Sequence, residues 1–487
     1  MKRASKTAPK IVVAIMAALT VVSSVHAENP PPPNVIVFIG DDISADDFGC
    51  YGHPNIRTPN VDALASDGLR FNNAYLATSQ CSPSRCSMIT GRYPHNTGAP
   101  ELHQALPSDQ VMFPKELRKA GYYTAATGKW HLGRAARSAF DRIEDCRPGG
   151  EEKWVGFIQE RPKDKPFMMW FASHDAHRDW DPSSASPPHV PADAVIPPYM
   201  VDTEGTRQDL AAYYDEVQRL DRYVGLVVEE LKQQGVYENT LIFFLADNGR
   251  PFPRCKTWLY DSGIKPPFIV HWPHQLAKPG SACDALISSI DIAPTVLEAA
   301  GVAVPETVQG TSLMPLIKNT KSEVRDVVFA EHNWHDTEAH ERMVRKGPWM
   351  YIRNARPEFA GWVQVHHKYA SYEALLEGQA QGSLTPAQAD VLLAPRPAEM
   401  LFNVEKDPHQ LNNLADSPEH SEPLRLMRAA LDEWQERTGD TTPADLTPDG
   451  VDRKTFKRLG KGIHPPRRGT KPGSKRNASA INDPGHD

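Results

Sequence analysis

No run of about twenty apolar residues, the length a spanning helix needs, occurs in this sequence, which excludes stable membrane insertion. The longest apolar stretch, Ile11–Val22, is too short to span, and it follows Lys2, Arg3, Lys6 and Lys10. With the small-x-small-like site Val25-His26-Ala27 after it, this pattern reads as a signal peptide over residues 1–27, with a mature start near Glu28. The expected location is therefore periplasmic or secreted. Cysteine is scarce: six residues, widely scattered, exclude a disulfide-framework protein, although an even count leaves room for bridges. A cationic surplus is also missing. The 54 Lys and Arg are outnumbered by 61 Asp and Glu, a net charge of −7, so nothing in the overall balance favours nucleic acid. No internal repeat is visible. Proline is abundant instead, at 44 of 487 residues, and predicts many fixed turns.

Short apolar runs alternate with amphipathic segments. NVIVFIGDD (34–42), FMMWFA (167–172) and NTLIFFLADNG (239–249) read as strands buried on both faces. TPNVDALASDG (58–68) reads as a helix, with Thr58 as N-cap, Pro59 in the first turn and Gly68 as stop. Residues 207–235 form a long amphipathic helix, with Leu210, Tyr213, Val217, Leu220, Val224 and Val227 at three- and four-residue steps. This order predicts an α/β domain with a mostly parallel sheet. Ligands in such sheets sit beyond the carboxyl ends of the strands. Asp41-Asp42, Lys129-His131, His174/His177 and Asp247-Asn248 all follow apolar strands, so they can converge on one pocket.

The chemistry of that set is specific. Asp41, Asp42, Asp247 and Asn248 offer three carboxylates and an amide, hard donors that suit Ca²⁺ or Mg²⁺ and not structural zinc. Three carboxylates facing one point repel one another unless a cation joins them. Either pair alone reads as a loop cap, because Asp and Asn favour turns. Arg85, Lys129, His131, His177 and Lys256 add a cationic lining suited to a tetrahedral anion such as phosphate or sulfate. SRCSMITG (84–91) continues as a helix, which puts Cys81 at a helix N-terminus, where an anion is favoured and a thiol pKa is expected to fall.

Cys81-Ser82-Pro83-Ser84-Arg85, followed by Thr90-Gly91-Arg92, resembles the signature of the type I, formylglycine-dependent sulfatases of the alkaline phosphatase-like superfamily. Asp41-Asp42, GKWHLG (128–133), His177, Asp247-Asn248-Gly249 and SIDIAPT (289–295) agree with it, and the resemblance runs from about residue 34 to 434. It implies a mostly parallel central sheet flanked by helices, with a smaller C-terminal α+β subdomain. The implied division is a catalytic domain over 28–320, the subdomain over 321–440 and a tail over 441–487. It implies one Ca²⁺ held by Asp41, Asp42, Asp247, Asn248 and the modified Cys81. It also implies a maturation enzyme that converts Cys81 to Cα-formylglycine. One hydroxyl of the hydrated aldehyde would attack sulfur, and the second would expel sulfate. Arg85 and Lys129 would steady charge, His131 would take a proton, and His177 and Lys256 would serve the leaving group. Cys81 is then a precursor and not a thiol nucleophile. Within the family the likeness leans towards the heparan N-sulfatase (sulfamidase) branch. Two positions depart from that branch: Ala176 replaces a proline in its His-Asp-Pro-His-Arg loop, and Lys256 replaces an arginine.

The implied partner is a sulfated carbohydrate, through sulfate esters or N-sulfate. His174 and Arg178, with His332, His335 and Arg342 in AEHNWHDTEAHERMV (330–344), are the candidate substrate contacts. The histidine spacing there matches no zinc motif. After about Leu446 the chain turns basic, rich in Gly and Pro and aperiodic, which predicts a disordered tail. Two other classes stay open: a phosphodiester or phosphonate hydrolase on the same scaffold, and a non-catalytic glycan-binding relative.

Overall fold

The structure is a computed structural model that describes residues 1, 31–146, 149–181, 185–361 and 369–486. The signal-peptide reading lies, apart from Met1, outside the described residues.

Eight strands form the main sheet: β1 (Asn34–Gly40), β2 (Leu69–Tyr75), β3 (Tyr123–Gly128), β4 (Arg142–Asp145), β5 (Phe167–Ala172), β6 (Thr240–Ala246), β7 (Phe268–His271) and β8 (Ser281–Ser288). Their order is β4-β3-β5-β1-β6-β7-β2-β8, and every pair is parallel except those made by β7. The apolar runs produce this arrangement because β1, β5 and β6 are covered on both faces. Val35, Val37 and Ile39 of β1 enter one core, and Ile36 and Phe38 enter the other, as the two-residue strand period dictates.

Helices cover each face. Helix α1 (Pro59–Asp67) begins as expected at Thr58, but the Thr58 hydroxyl accepts from Gly49 N and donates to Asp62 instead of capping the helix. Helix α2 (Cys81–Thr90) ends where Gly91 turns at φ 69°. Helix α3 (Glu204–Gln233) starts three residues before the expected Arg207, because the Thr203 hydroxyl accepts from Thr206 N and caps it there. Its Leu210, Tyr213, Val217, Leu220, Val224 and Val227 are buried against the sheet.

A second, antiparallel sheet has the order β12-β11-β10-β9, from β9 (Val327–His332), β10 (Glu341–Lys346), β11 (Trp349–Asn354) and β12 (Glu399–Asn403). Helix α4 (Ser421–Thr438) lays Leu424, Met427, Leu431 and Trp434 on it, and the Trp434 ring stacks 5.0 Å from that of Phe329. Both sheets belong to one unit, Pro32–Asp487. The architecture is mixed α/β with a mostly parallel sheet and a smaller α+β part, as the sequence predicts. All six cysteines are free thiols. No helix among the described residues is long and apolar enough to cross a membrane.

The tail departs from the sequence reading. Residues 441–486 are not a disordered extension but are held by specific hydrogen bonds to the segment after α2 and to the loops around Gln309 and Trp334. Buried Arg92 donates to Ser479 O (3.1 Å), Ile481 O (2.8 Å) and Asn482 Oδ1 (2.9 Å), and Ala478 is buried. Gln309 donates to Asp483 O, and Trp334 Nε1 to Pro448 O, each at 2.8 Å. Specific hydrogen bonds of this kind do not show in composition, which is why an aperiodic segment misled. Arg92→Ala is expected to lower unfolding free energy in urea titrations by about 2–3 kcal/mol, the worth of a charged donor's lost hydrogen bonds. It should also speed tryptic cleavage after Lys475 and Arg476. A tail cut equally fast in the parent protein would contradict this packing.

Candidate active site

Strand register builds the site. Gly40 of β1 pairs with Ala246 of β6, Ile39 with Ala172 of β5, and Gly128 of β3 with Ala172. The four strands therefore end level, and the residues that follow them, Asp41, Asp247, Ser173 and Lys129, start from one edge. Gly128 lies at φ 95°, and a Cβ there would come within 1.8 Å of Ala172 O, so only glycine lets the chain turn towards Lys129. Helix α2 points its first residue at the same edge.

The result is a buried cluster. Ligand atoms of Asp41, Asp42, Cys81 and Asp247 all lie within 4.8 Å of one another, and all four residues are buried. Cys81 Sγ stands 3.9 Å from Asp41 Oδ1 and from Asp42 Oδ1. Asn248 Nδ2 donates to Asp42 Oδ1, while Asn248 Oδ1 is buried with no hydrogen-bond partner. A buried amide oxygen without a donor, next to three carboxylates, fits a hard cation, so the donor set suits Ca²⁺ or Mg²⁺.

Three cations enclose the carboxylates. Arg85 Nε donates to Asp247 Oδ2 at 2.7 Å and its Nη1 to Lys129 O at 3.2 Å. Lys129 Nζ pairs with Asp41, and Lys256 Nζ lies 2.7 and 2.8 Å from the Asp42 oxygens. Burial pushes the Asp42 carboxyl up, but Lys256, His177 and Lys129 outweigh it and hold it at about 2. Burial and Lys129 oppose each other in the same way at Asp41, which stays below the usual carboxylate range. Lys256 is held above its ordinary value because Asp42 outweighs its burial. Cys81 differs from the expectation of a lowered pKa. Burial pushes its thiol up to about 12 despite the two lysines, so as a thiol it carries little nucleophilic thiolate.

His177 is half-buried beside this cluster, near enough for Lys256, Asp42 and Asp41 to act on its charge, with Nδ1 2.5 Å from Arg178 O. Burial lowers its pKa. His131, at φ 48°, places Nε2 2.8 Å from Nδ1 of His103, and His103 N donates to Ser82 Oγ beside Cys81. Nothing in the sequence marks His103, an isolated histidine in a loop, and the contact is visible only once the loops are placed.

The five candidate substrate contacts fare differently. His174 is half-buried, its Nε2 2.6 Å from Cys146 O. Arg178 forms a two-pronged pair with Asp209 (2.7 and 2.9 Å) between the rings of Trp180, Phe252 and Tyr369. Arg342 is buried and paired with Asp440 at 2.7 and 2.9 Å. His332 is buried 3.9 Å from Glu341. His335 is buried 3.2 Å from Asp336, in the loop that adjoins Cys81. That loop is clamped by Gln80, whose Nε2 donates to Asn333 O and Trp334 O, both at 3.0 Å. Trp334 packs with Cys81 and Leu102. Arg178 and Arg342 are thus each ion-paired, and Trp334 is the aromatic side chain packed against Cys81.

Buried carboxylates at parallel strand ends, a cationic lining and a cysteine at a helix start make a site suited to hydrolysis of charged esters. The sulfatase family model matches residues 33–146 and 152–302, and the chain belongs to that family, the sulfuric ester hydrolases. Residues 254–355 also match the model for the C-terminal part of N-sulphoglucosamine sulphohydrolase. The chain is 30% identical to an ulvan-active sulfatase of Formosa agariphila over 84% of this chain and 76% of the relative. It is 30% identical to human N-sulphoglucosamine sulphohydrolase over 86% of this chain and 93% of the relative. A structure solved with its substrate D-glucosamine-2-N,6-O-disulfate superposes with a TM-score of 0.66 at 20% identity, covering 83% of this chain and 98% of that one, which establishes the alkaline phosphatase-like fold.

Arg342→Ala should lower unfolding free energy by about 3–5 kcal/mol, because it leaves buried Asp440 without a counter-charge. Denaturant titration checks this. Unchanged stability with a raised KM would restore Arg342 as a substrate contact.

Proposed function

We propose that this protein is an exported, Ca²⁺-dependent sulfatase of sulfated saccharides whose nucleophile is Cα-formylglycine made from Cys81 by a maturation enzyme. The observation that carries this reading is the burial of Cys81, at the first residue of a helix, among Asp41, Asp42 and Asp247. The catalytic work falls to residues 28–320, and residues 321–440 supply a wall of the pocket. Once hydrated by water, formylglycine at Cys81 would supply two hydroxyls on one carbon. Asp41, Asp42, Asp247, Asn248 and the modified Cys81 would hold Ca²⁺, which would supply Lewis acidity towards the sulfate.

The chain's own residues complete the chemistry. Arg85, fixed by Asp247, and Lys129 hold negative charge beside the nucleophile. His131 takes a proton as sulfate leaves. Burial keeps its partner His103 neutral, pushed down to about 3, so His103 orients the ring without competing as a base. His177 uses Nδ1 on the Arg178 carbonyl, which reserves Nε2 for the leaving oxygen, and Lys256 stands beside it. Burial excludes water from these charges and strengthens each of them. Half-buried His174 and Arg178 stay as candidate substrate contacts. The saccharide class rests on the relatives' substrates. O-sulfate and N-sulfate are both represented among them, and the assay must include both.

The test is turnover by protein matured in a host with the maturation machinery. Ulvan fragments, an N-sulfated glucosamine and 4-nitrophenyl sulfate are compared with 4-nitrophenyl phosphate. Sulfate release is expected, with loss on chelation and recovery with Ca²⁺. His177→Ala and His131→Ala should each lower kcat by about 10²–10⁴, the range for a lost proton-transfer group. Release of phosphate without sulfate would replace this reading by the phosphoryl-transfer alternative. Binding without any turnover would favour the glycan-binding one.

A further inference from the structure

The strongest feature left unused is the basic C-terminal segment. Residues 453–476 contain Arg453, Lys454, Lys457, Arg458, Lys461, Arg467, Arg468, Lys471, Lys475 and Arg476 and not one Asp or Glu, in a chain whose net charge is −7. Such a run is ordinarily a solvated surface. Its placement is not ordinary, because the segment is fastened to the loops that surround Cys81.

The Arg468 guanidinium lies 4.9 Å from the Trp334 ring centroid, pairs with Glu101 at 3.0 Å and donates to Leu102 O at 3.3 Å. Trp334 and Leu102 are the residues that pack with Cys81. Arg458 pairs with Asp336, the neighbour and ion partner of His335, at 3.3 Å. Gly450 N donates to Asp336 O at 2.6 Å. The segment is also held in shape. Gly469 N donates to the buried Thr447 hydroxyl, and a Cβ at Gly469 would fall 2.2 Å from the Leu446 carbonyl carbon. Lys457, Lys461, His464 and Arg467 stand exposed on it. A cationic surface already fixed in place binds an anion with little ordering cost.

Resting on the sulfatase reading above, we propose that residues 457–468 form a cationic rim continuous with the pocket. The rim would hold further anionic groups of the saccharide, on sugars beyond the one being desulfated. The enzyme would then prefer an oligosaccharide bearing several anionic groups over a single sulfated sugar. A protein partner is the alternative for such a surface, but its attachment through Arg468 and Arg458 to the loops around Cys81 favours the substrate chain itself.

The test is direct binding, independent of turnover. Full-length Cys81→Ser protein is titrated calorimetrically with a heparin octasaccharide at two salt concentrations. It is compared with the same protein carrying Lys457→Ala, Lys461→Ala and Arg467→Ala, and with one carrying Lys457→Arg, Lys461→Arg and Arg467→Lys. Removing three exposed charges should weaken binding about tenfold and flatten its salt dependence, with Tm unchanged, and the charge-preserving variant should bind like the parent. Equal affinities for all three, or no measurable binding to the parent, would overturn the rim. Failure of the matured parent to release sulfate from any substrate would overturn the sulfatase reading and leave this binding result standing by itself.

Discussion

Three buried carboxylates facing one point demand cations, and much of this molecule is arranged to meet that demand. Asp41, Asp42 and Asp247 lie together because β1 and β6 pair in parallel and end level. Like charges so placed would drive one another's pKa upward. Arg85 arrives from α2, Lys129 from the turn after β3, and Lys256 from the loop after β6, each to a different carboxylate. The orphaned Asn248 oxygen adds one more donor for a metal. Taking away any one of these charges leaves a buried partner without compensation, which is far more costly than losing a surface pair.

The same constraint explains how the two sheets cooperate. The parallel sheet supplies acids and bases but leaves one side of the pocket unbuilt. The antiparallel sheet closes it through the loop after β9. Gln80, the residue before Cys81, holds that loop at Asn333 and Trp334, so one side chain joins the start of α2 to the loop after β9. The Ser79 hydroxyl accepts from Thr257 N and so ties the Lys256 loop to the same stretch. A domain that binds an anion must fix its cations before the anion arrives, and these short hydrogen bonds do so.

The sequence made the parallel sheet legible because strands buried on both faces leave continuous apolar runs. It made the acid and base positions legible because those residues directly follow the runs. What it hid were partnerships between distant residues. Arg178 and Arg342 look like free cations until Asp209 and Asp440 are found beside them. His103 looks isolated until it meets His131. The tail looks disordered until Arg92 and Trp334 are seen holding it. Cys81 shows the remaining limit: a helix start lowers a thiol pKa, burial raises it, and only the folded environment shows that burial is the larger effect.

That buried thiol leads to the most direct measurement. The tryptic peptide Phe71–Arg85 is taken from protein made in a host with the maturation machinery, and its mass is determined. The account predicts that Cys81 has lost its sulfur and gained an aldehyde oxygen. An alkylatable thiol at Cys81, in folded protein that still releases sulfate, would contradict it.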